Sequence, residues 1–248
     1  MKLSKLIMTG LVFSFSSLIA ESDIQLDMNH SIWSPFLLGQ MRVDFEQTPN
    51  FNQQDDSIDY NSTYLNLSYE HSNSVLPNVG LQTNIKEHKR KANINQLVVF
   101  DSTAYSGGQL MDSQVDLTHR DHLLYYNIIS SDIDLDLGMD IIRFDGRIVM
   151  KSQGVHRTVD FKKALPGLYG KLRYDLPETS LYFEATGSYV LNNNDTFHKS
   201  RLVLGWESES GVGIEVGYQS YAAEWHGYED TSGNISFEGL YTGLRFNF

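Results

Sequence analysis

Three groups of side chains in this chain carry types and spacings that could do chemistry. Asp134, Asp136 and Asp140 recur at even intervals. In a strand they share one face, where carboxylates could hold a divalent cation or trade a proton. His119-Arg120-Asp121-His122 offers the ingredients of a metal site or a hydrolase. An odd separation puts His119 and His122 on opposite strand faces, so only His119 with Asp121, or Arg120 with His122, could cooperate. Lys86, His88, Lys89, Arg90 and Lys91 form a dense basic cluster suited to phosphate groups. Each group also has a plain structural reading, respectively a cross-strand charge pair, a polar strand extension and a solvated loop. No Gly-rich phosphate loop, heptad or zinc-ligand spacing accompanies them, and no cofactor or metal is expected.

The elements that must position these residues announce themselves by alternation of period two. Ile24, Leu26, Met28 and Ile32 alternate with polar neighbours, and so do Leu65, Leu67 and Tyr69, then Val79, Leu81 and Ile85. A longer, less regular run spans Val115 to Ile128. The pattern returns at Ile133–Ile141, Leu168–Tyr174, Leu181–Tyr189, Leu202–Trp206, Val212–Tyr218 and Leu240–Phe248. Strands with one apolar and one polar face follow. A soluble sandwich alternates too, but its buried face would not oppose acids and bases deep in nearly every strand. The expected fold is therefore an all-β, closed antiparallel transmembrane β-barrel of about ten strands, with eight as the alternative. Antiparallel pairing through a turn near Ser152 to Thr158 would set Lys171 opposite Asp136 and Arg173 opposite Asp134. Together with Asp140, Glu184, Arg201, Glu215 and Arg245 they are expected to fill a narrow lumen as a charge network.

The ends of the chain agree with that placement. Lys2 and Lys5 precede an apolar run from Leu6 to Ile19 that stops at Ala20, which reads as a cleaved export signal over 1–20 before a barrel domain over 21–248. Removing those two lysines leaves 17 basic against 31 acidic residues, a balance that excludes nucleic acid as a partner. With no cysteine, neither disulfides nor a lipoprotein anchor is available.

Connections alternate between short and long, as in bacterial barrels with short periplasmic turns and long outer loops. Ser72–Pro77, Ile129–Asp132, Leu176–Thr179 and Glu207–Gly211 are short; Ser34–Asp59, Glu87–Gln114, Ser152–Thr158, Leu191–Thr196 and Ala223–Asn234 are long. Both termini then fall in the periplasm. Two aromatic girdles are expected: Tyr69, Tyr125, Tyr126, Tyr174, Trp206 and Phe248 at the short-turn end, and Trp33, Tyr64, Phe144, Tyr189, Phe197, Tyr221 and Phe237 at the other. The last run, with Leu244, Phe246 and Phe248, is similar to the terminal signal read by the outer-membrane barrel assembly machinery.

The chain resembles an uncharacterised family of small Gram-negative outer-membrane β-barrel proteins. The resemblance rests on Leu76-Pro77-Asn78-Val79-Gly80-Leu81, on Leu135-Asp136-Leu137-Gly138 with Arg143-Phe144-Asp145-Gly146, and on Leu168-Tyr169 with Tyr174-Asp175-Leu176-Pro177. Glu209-Ser210-Gly211-Val212-Gly213 with Gly217-Tyr218, and Phe237-Glu238-Gly239-Leu240-Tyr241, extend it over most of the mature chain; Ile32 to Asp59 matches poorly. It implies a barrel in the cell outer membrane and supplies no catalytic residues. The expected role is non-enzymatic, structural or surface-interacting through the outer loops, with the protein a monomer among outer-membrane lipids. Lys86, Lys89, Arg90 and Lys91 are the expected lipopolysaccharide contacts. Two alternatives stay open: a narrow channel for small solutes or apolar molecules, and a rim hydrolase acting on lipid A or peptides.

Overall fold

Alternating apolar and polar side chains, rich in Tyr, Phe, Ile and Val and poor in Pro, sort onto two faces only when the backbone is extended. The computed structural model describes residues 24–33, 36–43, 57–71, 73, 75–94, 97–100, 103–191, 195–228 and 231–248. The expected export signal and most of the connection between Ser34 and Asp59 lie outside these residues. The strands are β1 (Ile24–Trp33), β2 (Phe36–Val43), β3 (Ser57–His71), β4 (Asn78–Ile94), β5 (Val98–Phe100), β6 (Thr103–Tyr105) and β7 (Gln109–Asp116). They continue with β8 (His119–Ile129), β9 (Ile133–Ser152), β10 (Val155–Asp175), β11 (Leu181–Leu191), β12 (Asp195–Glu207), β13 (Val212–Tyr228) and β14 (Thr231–Asn247).

Twelve of these form one curled antiparallel sheet, and β5 and β6 form a separate hairpin. Consecutive strands pair along the sheet, with two exceptions. β7 and β8, parted at Leu117 and Thr118, both lie between β4 and β9. β1 and β2 both lie against β14, covering 241–247 and 231–238 respectively. β1 pairs β3 as well, from Ile24↔His71 to Ile32↔Thr63.

The strands run further than the alternation alone suggests. The stretches expected as long connections at Ser152–Thr158 and within Glu87–Gln114 are largely sheet: β9 and β10 continue to a tight turn at Gln153-Gly154, both with positive φ. The physical reason lies in β9, where the pattern changes phase. Ile133, Leu137, Met139 and Ile141 are exposed on the odd positions, whereas Ile142, Phe144, Ile148 and Met150 are buried on the even ones. Beyond Ile141 the exposed odd positions are Arg143, Asp145, Arg147 and Lys151. The Ile141-Ile142 step interrupts the alternation, so a period-two reading ends there although the strand does not.

Several cross-strand pairs depend on a missing side chain. Tyr182 faces Gly205 and Tyr241 faces Gly217. A Cβ at Gly205 would fall into the Tyr182 ring, and one at Gly217 would lie 2.6 Å from Tyr241. At Gly170, by contrast, the nearest atom would be 3.6 Å away. Gly205→Ala is therefore expected to cost about 1–3 kcal/mol through overpacking, while Gly170→Ala changes stability by well under that. Urea midpoints of the two variants test this; equal midpoints would contradict the account.

Candidate functional site

The convex face carries a continuous apolar belt. Leu168 and Leu240 are 71% and 73% exposed, and Leu137, Met139, Leu172, Phe183, Leu202, Leu204, Ile214 and Val216 are exposed beside them. On β9 the belt covers 133–141, roughly the 9–11 residues with which a tilted strand crosses the hydrocarbon layer. Tyr69, Tyr126, Tyr174 and Trp206 line its short-turn edge, outward. This is the surface that an outer-membrane β-barrel presents to lipid. Among the described residues, the girdle expected at the other edge does not form. Phe144, Phe197, Tyr221, Phe237 and Tyr64 are buried, and only Tyr189 of those described points outward. Tyr125, assigned to the short-turn girdle, is buried too. Strand parity decides: these rings occupy positions in phase with the concave face.

That concave face has two levels. At the level of the belt it is charged. Lys171 faces Asp136 in the β9–β10 register and its Nζ lies 2.5 Å from Oδ2, with Glu70 at 4.0 Å. Asn127 and Tyr125 donate to Asp136 and Glu70, at 2.8 and 2.9 Å. Arg173 faces Asp134 in register but turns to Asp175 (2.7 Å) and Glu207 (3.1 Å), and among the described residues no ion pair reaches Asp134. Arg201 pairs with Glu215 and lies 3.7 Å from Glu184, and Arg245 reaches Glu184 (3.1 Å), Glu207 (3.6 Å) and Glu215 (3.9 Å). Aromatic rings flank the cations: Arg173 stacks 3.8 Å over Tyr182, and Arg201 sits between Tyr64 and Tyr241. The rings take up the guanidinium faces while the carboxylates take the edges, which leaves few donors unmet.

One turn of pairing higher, Lys199 lies 2.5 Å from Asp121 and 2.9 Å from Asp140. Gln82 accepts from Lys199 (2.8 Å), Asn84 donates to Asp121 (3.1 Å) and Ser188 donates to Asp140 (2.6 Å). Lys199, Asp121 and Glu70 have no counterpart in the expected network. Lys199 shares strand parity with Arg201, and Asp121 opposes Gln82 on β4, so parity is the signal that could have found them.

Above this, the concave face becomes apolar. Ile142, Phe144, Ile148, Met150, Val115, Leu165, Phe197 and Phe237 form one buried cluster, into which the β5–β6 hairpin inserts Phe100 and Tyr105. The cavity left at the charged level is only about 30 Å³, room for a couple of waters at ~10–15 Å³ of such volume each.

The remaining chemical candidates scatter. His119 is buried between Phe144, Phe197 and Tyr221, with Nδ1 3.0 Å from the Leu117 carbonyl and Nε2 3.9 Å from Asp121. His122 and Arg120 are exposed on the opposite face. Lys89 lies 3.0 Å from Glu87 and Lys91 3.8 Å from Asp112; Lys86 and Arg90 hold the alternate positions of β4. Leu244 is exposed, and the Phe246 and Phe248 rings stack at 6.4 Å. No group of three or more metal-ligating side chains occurs among the described residues.

Several solved barrels are similar in fold. The translocator domain of autotransporter NalP from Neisseria meningitidis matches 98% of this chain and 95% of its own length, at 12% identity and a TM-score of 0.43. The outer membrane protease OmpT from Escherichia coli matches 90% and 97%, at 8% identity and 0.46. A major outer membrane protein from Thermus thermophilus matches 91% and 99%, at 12% identity and 0.41. At this distance the likeness assigns neither function nor residue roles. No protein-family model matches the chain, and no curated protein matches it by sequence.

Lys199 separates two carboxylates away from water, so removing it alone leaves uncompensated buried charge. Lys199→Met is expected to destabilise the folded protein by about 3–5 kcal/mol, and adding Asp121→Asn and Asp140→Asn to recover most of that. Urea titration followed by gel mobility measures both. A Lys199→Met variant as stable as the parent would remove the ion triad from the account.

Proposed function

We propose that this chain is a closed ten-strand barrel integral to the outer membrane, whose role is structural and surface-interacting rather than catalytic. Twelve sheet strands occupy ten positions when β7 with β8, and β1 with β2, each share one. Pairing of β1 with both β3 and β14 supports closure, which an apolar surround demands of every backbone group. The barrel domain spans 21–248 after export on residues 1–20, with both termini in the periplasm. Leu244, Phe246 and Phe248 supply the signal for barrel assembly. The protein is a monomer whose immediate partners are outer-membrane lipids, with Lys86, Lys89, Arg90 and Lys91 standing beyond the belt where lipopolysaccharide is.

The observation that carries the reading is the filled interior. Among the described residues, the charged level at belt height leaves a cavity of about 30 Å³, and buried apolar side chains pack the level above it. That weighs against a conduit, and the burial of His119 and Asp121 inside the same packing weighs against a rim hydrolase. The portion of the sheet beyond the belt has the surface of a soluble protein, charged outside and apolar within. It holds the outer loops on a rigid support, a suitable base for contacts at the cell surface.

Reconstituted into planar bilayers, the heat-modifiable protein is expected to show no conductance steps, and deletion of Val98–Tyr105, which withdraws Phe100 and Tyr105, to leave the charged level still closed. Discrete, reproducible openings by the intact chain would replace this reading with the narrow-channel one.

A further inference from the structure

The edge of the apolar belt carries a pair of cations that the fold does not explain. Arg120 on β8 and Arg143 on β9 are direct cross-strand partners, both exposed on the convex face. Such partners have Cβ atoms about 5 Å apart, and like charges there repel. Every nearby carboxylate is already engaged. Asp116 accepts from the backbone and hydroxyl of Thr118, at 2.9 and 2.6 Å. Asp145 pairs with Lys162 at 3.6 Å, and Asp160 with Arg147 at 2.5 Å. Among the described residues neither Arg120 nor Arg143 has an ion-pair partner.

Their height is equally specific. One step towards the belt, His122 faces Ile141 and Ile141 faces Pro166; the next step is Leu124, Met139 and Leu168, all apolar. The flanking positions at the arginine level are small, Thr83 beside Arg120 and Ala164 beside Arg143, so the guanidinium faces are not walled off. Where β7 gives way to β8 the surface opens into a recess of about 640 Å³ whose lining includes Arg120, His122, Arg143 and the three engaged carboxylates Asp116, Asp145 and Asp160. A group bound there would have its charge on the arginines and any hydrocarbon along Leu124, Met139 and Leu168.

We propose that Arg120 and Arg143 form a phosphate clamp for the headgroup of an outer-leaflet lipid, whose acyl chains lie down the β8–β9 face of the belt. The site rests on the reading above that this end of the belt meets the outer leaflet. Two planar forks side by side offer parallel N–H donors to a phosphate, and the bound anion removes the repulsion between them.

The test uses the purified full chain in dodecylmaltoside micelles, titrated with bisphosphorylated lipid A and with the same glycolipid stripped of its phosphates, retention being read by native mass spectrometry. The parent is expected to retain the phosphorylated form preferentially. Arg120→Gln with Arg143→Gln should weaken that retention about tenfold or more, the loss of at least one charge-assisted contact. Arg120→Lys with Arg143→Lys should fall between, keeping charge without the fork. Equal retention by parent and the double Gln variant, or indifference to the lipid's phosphates, overturns the clamp. Complete displacement of the lipid by millimolar inorganic phosphate would reassign the site to free phosphate and overturn the lipid proposal. Gel mobility with and without boiling, on the same samples, keeps the two failures apart. A heat-modifiable barrel with phosphate-blind binding overturns the clamp alone, whereas unchanged mobility overturns the barrel reading and the clamp with it.

Discussion

A sheet whose outer face is apolar for the whole height of a hydrocarbon layer leaves no water for its backbone, and everything else in this molecule follows from that. Each N–H and C=O along the belt needs a partner strand, which is why β1 turns up bonded to β3 on one side and β14 on the other. With mostly apolar side chains on the outward positions of the belt, the inward ones are mostly polar or aromatic, among them Asp, Glu, Lys, Arg, Asn, Gln and Tyr. Those groups are then enclosed and must satisfy one another. The Arg–Glu lattice with its tyrosine faces, and the Lys199 triad above it, are the consequences of a constraint set on the opposite side of the same strands.

Beyond the belt the constraint reverses sign. Outward positions meet water and become Arg143, Asp145 and Arg147; inward ones lose the need for polarity and become Ile142, Phe144 and Ile148. The same backbone, in the same register, thus behaves as a membrane protein over one half and as a soluble barrel over the other. The interior changes from ion pairs to hydrocarbon at the height where the exterior changes from hydrocarbon to ions. The arginine pair at this boundary sits where neither half provides for it.

Much of this can be read from the chain. The alternation at Ile133–Ile141 and Leu168–Tyr174 gives the strands, their outward faces and the Lys171–Asp136 register, because period two is a local property. What resisted reading is what depends on phase. Phe144, Phe197 and Phe237 look like lipid-facing aromatics when counted by distance from a loop, yet parity turns them inward. Register does bring Arg173 opposite Asp134, but which carboxylate it meets is not a register property, because its long side chain reaches diagonally to Glu207 two strands away. Lys199 could be placed only once strands distant in sequence were brought together, since Asp121 and Gln82 come from the other side of the interior. A loop reading of residues 152–158 failed because the Ile141-Ile142 step mimics the end of a strand.

The β9–β10 hairpin keeps its pairing unbroken from Ile133↔Tyr174 to Ser152↔Val155, some 20 residues at ~3.3 Å each, or about 65 Å of continuous ladder. Mechanically that makes it a mast stepped in the bilayer. A pull on its tip runs along the strands, so it loads the ladders to neighbouring strands in shear, many bonds at once, and cannot peel them open singly. A load applied at the tip is therefore shared by the whole wall, and the anchor gives way only when that wall does.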